Sequence, residues 1–197
     1  MGQSYCQVLP IGPLDNTFSP YSLLSTFAGN PLIISFQGLI EVGLLSYDEL
    51  HKFSDYNSHR VDYKRVIGDR MSVLYKISNR FQERASEDLL EQFNLFCLKE
   101  KGWLDNYSIF CALRKANDRK SWNCWEADNK AQTQDIQNEK ILQFLFHYQW
   151  DKLKKYCNGK GVSIIGDMPI YVSYDSADVW SEPKLFQLDS QGRKIAE

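Results

Sequence analysis

The sequence has no run of apolar residues approaching the roughly 20 that a membrane-spanning helix needs. Its five cysteines (Cys6, Cys97, Cys111, Cys124 and Cys157) are scattered and form no C-x-x-C pair, so neither a disulfide framework nor a zinc knuckle is indicated. There is no G-x-G-x-x-G, no G-K-[ST] phosphate loop and no H-E-x-x-H, which removes dinucleotide, nucleotide and zincin chemistry in their usual forms. No G-x-S-x-G elbow is present, and the three histidines, His51, His59 and His147, lie far apart. The formal net charge of −2 gives no electrostatic reason to expect nucleic acid or an anionic membrane as a partner. No basic flank leads into an apolar stretch near Met1, so a cytoplasmic setting is expected, and Asn106-Tyr107-Ser108 carries no glycosylation weight without secretion. No metal and no cofactor is expected, and neither an internal repeat nor a low-complexity tract occurs.

What is present fits a folded α/β protein. The 197 residues are 43% hydrophobic and 14% aromatic, enough for a sizeable core. Val162 to Ile165 is a short apolar run with β-branched residues, bounded by Gly161, Gly166 and Pro169, and it reads as a buried parallel strand. Asp167 follows at the C-terminal end of that strand, where ligands gather in parallel α/β folds. From spacing alone it is either such a ligand-facing carboxylate or a solvated, capping Asp in a turn. Gln7 to Ile11 reads as an earlier strand. Ser19-Pro20 then resembles an N-cap with proline in the first helical position, followed by a helix over Tyr21 to Ala28 that ends at Gly29.

Pro31 to Phe36 reads as extended, and Ser46-Tyr47-Asp48-Glu49 as a capping box opening a short helix. His59 to Tyr63 leads into helical sequence from Lys64 onward. Leu89, Leu90, Phe93 and Cys97 recur at helical spacing, as do Trp103, Tyr107 and Phe110, and core packing is preferred over a sugar platform for these aromatics. Asn117 to Asn138, with Trp122 and Trp125, reads as a polar surface connection. The next helix, about 136–158, carries Leu142, Phe146, Trp150, Leu153 and Cys157 on one face. Lys152, Lys154 and Lys155 lie off that face, and His147 reads as a core-edge or surface residue. Two parallel strands with an intervening stretch of roughly a hundred residues exceed the dozen or so that a crossover needs, so a helical insertion is expected.

Three segments resemble one family. Gln7 to Gly12 (QVLPIG), Ser25 to Pro31 (STFAGNP) and the long run Ile164 to Gly192 (IIGDMPIYVSYDSADVWSEPKLFQLDSQG) look like the 4-α-glucanotransferases, also called amylomaltases or disproportionating enzymes. The resemblance spans the chain and is sharpest at its two ends. It implies a partial (β/α)8 TIM barrel with a large α-helical insertion subdomain. The segments are then 1–36 (early barrel strand and loop), 37–135 (helical insertion) and 136–197 (barrel helix, strand and strand-end loop). By the same resemblance the family's first strand, and everything from its fourth strand on, are missing.

The activity implied is transfer of an α-1,4-glucan segment from a donor to the 4-hydroxyl of an acceptor, by a retaining double displacement. Such a mechanism needs two carboxyl groups about 5–5.5 Å apart. The family's R-I-D-H-like and E-D-L-G-like motifs are absent here, so no catalytic dyad is carried over. Part of the donor-sugar site is: Asp167 matches the Asp of G-D-x-P-I, while Tyr21 and Ser19 match the Tyr and Ser of S-P-Y. Read without the resemblance, Tyr21 and Ser19 fit a helix start. Where the family has G-Y-G-D, this chain has Asp15-Asn16-Thr17-Phe18, so the expected aromatic is missing at Asn16, with Phe18 as a neighbouring substitute. The partners implied are maltooligosaccharides and α-1,4-glucans. The rival reading is a non-catalytic or degenerate α-glucan-binding protein.

Overall fold

The computed structural model describes residues 2–53 and 59–195; the side chains of residues 51–53, His51 included, fall outside the description, as do Ala196 and Glu197. Two short strands, β1 (Tyr5–Gln7) and β2 (Ser163–Ile165), pair in parallel with Cys6 opposite Ile164. Bonds from Val8 N to Ile165 O (2.9 Å) and from Ser163 N to Ser4 O (2.8 Å) extend the ladder at each end. The first strand is earlier and shorter than Gln7 to Ile11. Pro10 has no N–H to give to a ladder, and the Ile11 carbonyl is taken by Asn30 N at 2.8 Å, which draws the chain into its loop. Nor is β2 buried: Ile165 is 47% exposed and Tyr5 69%. With only two strands paired among the described residues, the ribbon keeps open edges and faces.

The expected helix over Tyr21 to Ala28 does not form. This segment folds back on the residues before it, through an antiparallel bridge between Leu14 and Leu23 and bonds Asp15 N to Ser22 O (3.1 Å) and Leu24 N to Pro13 O (2.8 Å). Local capping preference is overridden by this pairing. Pro31 to Phe36 is not extended either. Asn30 caps a 3-10 turn over Pro31–Ile33, and Ser35 caps α1 (Phe36–Glu41) through Gly38 N at 3.2 Å. The Ser46–Glu49 pair does open a 3-10 helix, Tyr47–Phe53, with the Glu49 carboxylate accepting from Ser46 N and Oγ at 3.0 and 3.1 Å.

The helices that follow are α2 (Tyr63–Asn79), α3 (Phe81–Arg84), α4 (Glu87–Lys99), α5 (Lys101–Ala116) and α6 (Thr133–Gly159). Asp62 and Ser86 cap α2 and α4. Ser176 caps α7 (Ala177–Ser181), which lies beyond β2. Phe81, Phe93 and Phe144 meet edge to face at 5.4–6.0 Å in the main core, a geometry that sets the positive ring edge against the negative face. A second cluster joins Phe110, Trp125 and Trp180. The 117–138 connection is therefore not merely a surface strap: Asn117 is buried, and its Oδ1 accepts from Glu126 N (3.0 Å) and Asn129 Nδ2 (2.8 Å). His147 sits at the core edge against Phe96, Trp103 and Phe146, and burial lowers its pKa.

Helix α6 organises the whole. Residues 138–146 are buried apart from the half-buried Lys140, whereas Leu153 on the expected stripe is 48% exposed, because no described element covers the last turns there. The helix stops in a two-bond cap: Gly161 N to Asn158 O (3.0 Å) and Val162 N to Cys157 O (2.9 Å). Gly161 takes the left-handed φ of +74° that this cap requires. The chain then enters β2 directly. Two side-chain amides on α6 act as substitute peptide groups for the segment after β1. Gln143 accepts from Gly29 N (2.8 Å) and donates to Gly29 O (2.9 Å), and Gln149 does the same for Ser35 at 2.7 and 3.0 Å. Gly29 is where backbone comes closest to the helix: a Cβ there would lie 2.0 Å from the Phe146 ring.

Gln143 is wholly buried, so removing its amide strands two backbone groups. Gln143→Leu is expected to cost about 3 kcal/mol, and the more exposed Gln149→Ala about 1 kcal/mol. Urea denaturation midpoints with unchanged slopes would measure both.

Candidate functional site

The loops that leave the C-terminal ends of β1 and β2 meet side by side. Tyr21, in the first, donates its phenolic hydrogen to Asp167 Oδ2, in the second, at 2.7 Å across 146 residues of sequence. The ring of Tyr21 is 47% exposed. Hydrogen bonding to Asp167, with a smaller contribution from burial, raises the Tyr21 pKa, as expected when a carboxylate favours the protonated phenol. Ser19 stands nearby in a different role. Its Oγ accepts from Tyr21 N at 3.3 Å and so shapes the turn that presents the tyrosine. Two of the three residues singled out in the sequence are thus in direct contact, and the third supports one of them.

A second group, not singled out in the sequence, ties the loops together. The Asp15 carboxylate accepts from Thr17 N (2.8 Å), Thr17 Oγ1 (2.6 Å), Ser22 Oγ (2.5 Å) and, from the other loop, Ser173 Oγ (3.2 Å). Burial pushes its pKa up, but the bonds from Ser22, Thr17 and Ser173 outweigh it and leave the group lowered. Asp178, at the start of α7, accepts from Thr26 N (3.1 Å) and Oγ1 (2.6 Å). Backbone bonds Ser173 N to Leu23 O (3.3 Å) and Ala177 N to Leu24 O (2.8 Å) complete the lacing. The Asp15-x-Thr17 pattern announces a local Asx turn, but its partner Ser173 is not legible without the fold.

The departing tetrapeptide has a clear local role. Phe18 adopts φ +58° and stacks on Tyr63 with ring centroids 4.7 Å apart and planes 13° from parallel. Asn16 accepts from Arg114 Nη2 at 3.4 Å, while the same guanidinium pairs with Asp175 at 3.1 Å. Asp175 also accepts from Trp122 N, and Trp122 Nε1 donates to Tyr174 O at 2.9 Å. Helix α5 and the Trp122 turn therefore hold the second loop from behind. Around Asp167, Met168, Ile170 and Tyr171 are about four-fifths exposed. Among the described residues no group of three or more His, Cys, Asp or Glu is placed to hold a metal ion, and no helix is long and apolar enough to cross a membrane.

The arrangement offers an exposed aromatic face beside a carboxylate hydrogen-bond acceptor, which suits a ligand with hydroxyl donors and an apolar ring face. Asp167→Asn is expected to bring the Tyr21 pKa back toward the ordinary tyrosine value near 10, read from ring-carbon NMR shifts across alkaline pH. Asp15, with its native pKa lowered, gives its full stabilisation above the ordinary Asp range near 3.9 and loses it as pH falls through the lowered native value. Acid unfolding between about pH 4 and 2 should therefore be shallower for Asp15→Asn than for the wild type.

The chain matches the profile of the 4-alpha-glucanotransferase family over residues 1–192. It is 38% identical over 204 residues to the 4-alpha-glucanotransferase of Clostridium butyricum, covering 96% of this chain and 41% of that protein. It is 35% identical to the enzyme of the same name from Thermus thermophilus, covering 98% and 40%. The solved amylomaltase of Streptococcus agalactiae, in complex with acarbose, superposes with a TM-score of 0.87 at 31% identity, over 96% of this chain and 41% of that one. The chain thus spans about two-fifths of the length of the relatives it matches. On a profile match that runs almost end to end, this chain belongs to the 4-alpha-glucanotransferase family.

Proposed function

We propose that this chain supplies donor-sugar contacts of a 4-α-glucanotransferase, an enzyme that moves an α-1,4-glucan segment from a maltooligosaccharide donor to the 4-hydroxyl of an acceptor. The observation that carries the reading is the Tyr21–Asp167 hydrogen bond, which joins the two strand-end loops at the residues that match the family's sugar-contact motifs. In this reading the Asp167 carboxylate accepts from sugar hydroxyls, the Tyr21 ring lies against the sugar's apolar face, and Ser19 holds the turn beneath it. The reaction is a retaining double displacement whose nucleophile and acid/base carboxyls, in R-I-D-H-like and E-D-L-G-like motifs, are absent from these 197 residues.

The architecture belongs to the same proposal. β1 and β2 are neighbouring parallel strands of a (β/α)8 barrel, with residues 1–36 and 136–197 contributing barrel elements and 37–135 the helical insertion. All five cysteines are free thiols, which agrees with a reducing, cytoplasmic setting.

Two measurements test this. Incubated alone with maltotriose, the chain is expected to release no glucose and build no longer oligomers; robust disproportionation would sink the assignment of the catalytic carboxyls elsewhere. Maltotriose should also shift the amide resonances of residues 19–23 and 167–173. Asp167→Asn should weaken that response on the order of tenfold, the effect of losing one charge-assisted hydrogen bond.

A further inference from the structure

Beyond the strand ends, the same two loops line a concavity. A cavity of about 240 Å³ opens between the Ser25–Phe27 stretch, the first turns of α5 and the α7 segment through Phe186. This is smaller than the roughly 300–1,000 Å³ of drug-sized ligand sites, and it matches a single ring rather than an extended ligand. Its wall is aromatic. Phe27 is 61% exposed, and its ring lies near-parallel to Trp103, with centroids 6.3 Å apart and planes 19° from parallel. Trp103 is fixed in place, because its Nε1 donates to Glu100 at 2.7 Å and its ring packs on Tyr107 and Phe96. The wall is thus ordered before any ligand arrives, which lowers the entropic cost of binding.

The rim is made of acceptors. Asp178 and Glu182 contribute carboxylates and Asn106 an amide. Asp178 already holds Thr26 N and Oγ1, yet a carboxylate offers about four lone-pair directions and has capacity left. Gly102 also lines the cavity, and its missing side chain leaves that part of the wall open. A rim of two carboxylates disfavours anions, and an all-apolar ligand would leave those carboxylates desolvated without partners. A neutral polyhydroxylated ring meets both surfaces, with its C–H face on Phe27 and its hydroxyls donating to Glu182 and Asp178.

We infer that this cavity is a second α-glucan subsite, holding one glucose unit apart from the Tyr21–Asp167 pair, on a platform formed by Phe27 and Trp103. The inference rests on the α-glucan reading of the chain, and residue-resolved NMR separates the two. Titrated into the labelled 197-residue chain, maltotriose should shift amides at 25–27, 102–107 and 181–186 as well as those at the strand ends. The cavity shifts should survive Asp167→Asn. Phe27→Ala should weaken them on the order of tenfold, the scale of losing one aromatic face. The exposed-rim variant Glu182→Lys should weaken them too, without touching the core. Shifts confined to 19–23 and 167–173 would overturn the subsite and leave the glucan reading standing, as would cavity shifts indifferent to both variants. No shift anywhere with maltotriose would overturn the glucan reading and this inference together.

Discussion

The position of the strand-end loops depends on two glutamine side chains buried or half-buried along α6. Gln143 and Gln149 each bind both the N–H and the C=O of one residue in the segment after β1, Gly29 and Ser35 respectively. The two partners are six residues apart on the helix and six apart on the segment. The chain therefore runs alongside α6 in the same direction, pinned at both ends. Because α6 passes through Gly161 straight into β2, this pinning also fixes where the first loop stands relative to the second. Tyr21 and Asp167 meet because Gly29 and Gln143 do.

The electrostatics follow a similar division of labour. The loops themselves are joined by short side chains around two carboxylates: Asp15 with Thr17, Ser22 and Ser173, and Asp178 with Thr26. Behind them Arg114 bridges Asp175 and Asn16. In these loops the half-buried carboxylates and Arg114 are thus paired or hydrogen-bonded, as the cost of burying an unpaired charge demands. The aromatic residues of the long 164–192 motif serve packing as much as presentation, since Trp180 closes the cluster with Phe110 and Trp125.

Sequence reading identified the parallel pairing, the long helices and the glycine-terminated end of α6, because each rests on local signals: β-branched runs, 3.6-residue periodicity and a residue free to take positive φ. It placed Tyr21, Ser19 and Asp167 in one region only through the family motifs. It failed where contacts between distant segments override local preference. Ser19-Pro20-Tyr21 carries a helix-start signature, yet the Leu14–Leu23 bridge holds the stretch as an irregular turn. Gly29 looked like a helix cap, but it is a glycine because the Phe146 ring lies against it. The link from Asp15 to Ser173 spans 158 residues and has no sequence signature.

The Tyr21–Asp167 bond also bears on how selective such a site can be. The carboxylate of Asp167 is not waiting empty, because it already holds a hydroxyl proton at 2.7 Å. A hydroxylated ligand takes the lone-pair directions that the phenol leaves free, so it binds beside the tyrosine hydroxyl. A charge-assisted bond of this kind strengthens the hold on any hydroxyl donor, so it cannot by itself tell one alcohol from the next. In the proposed site, discrimination falls to the shape of the ring laid against the tyrosine and to the water that shape displaces.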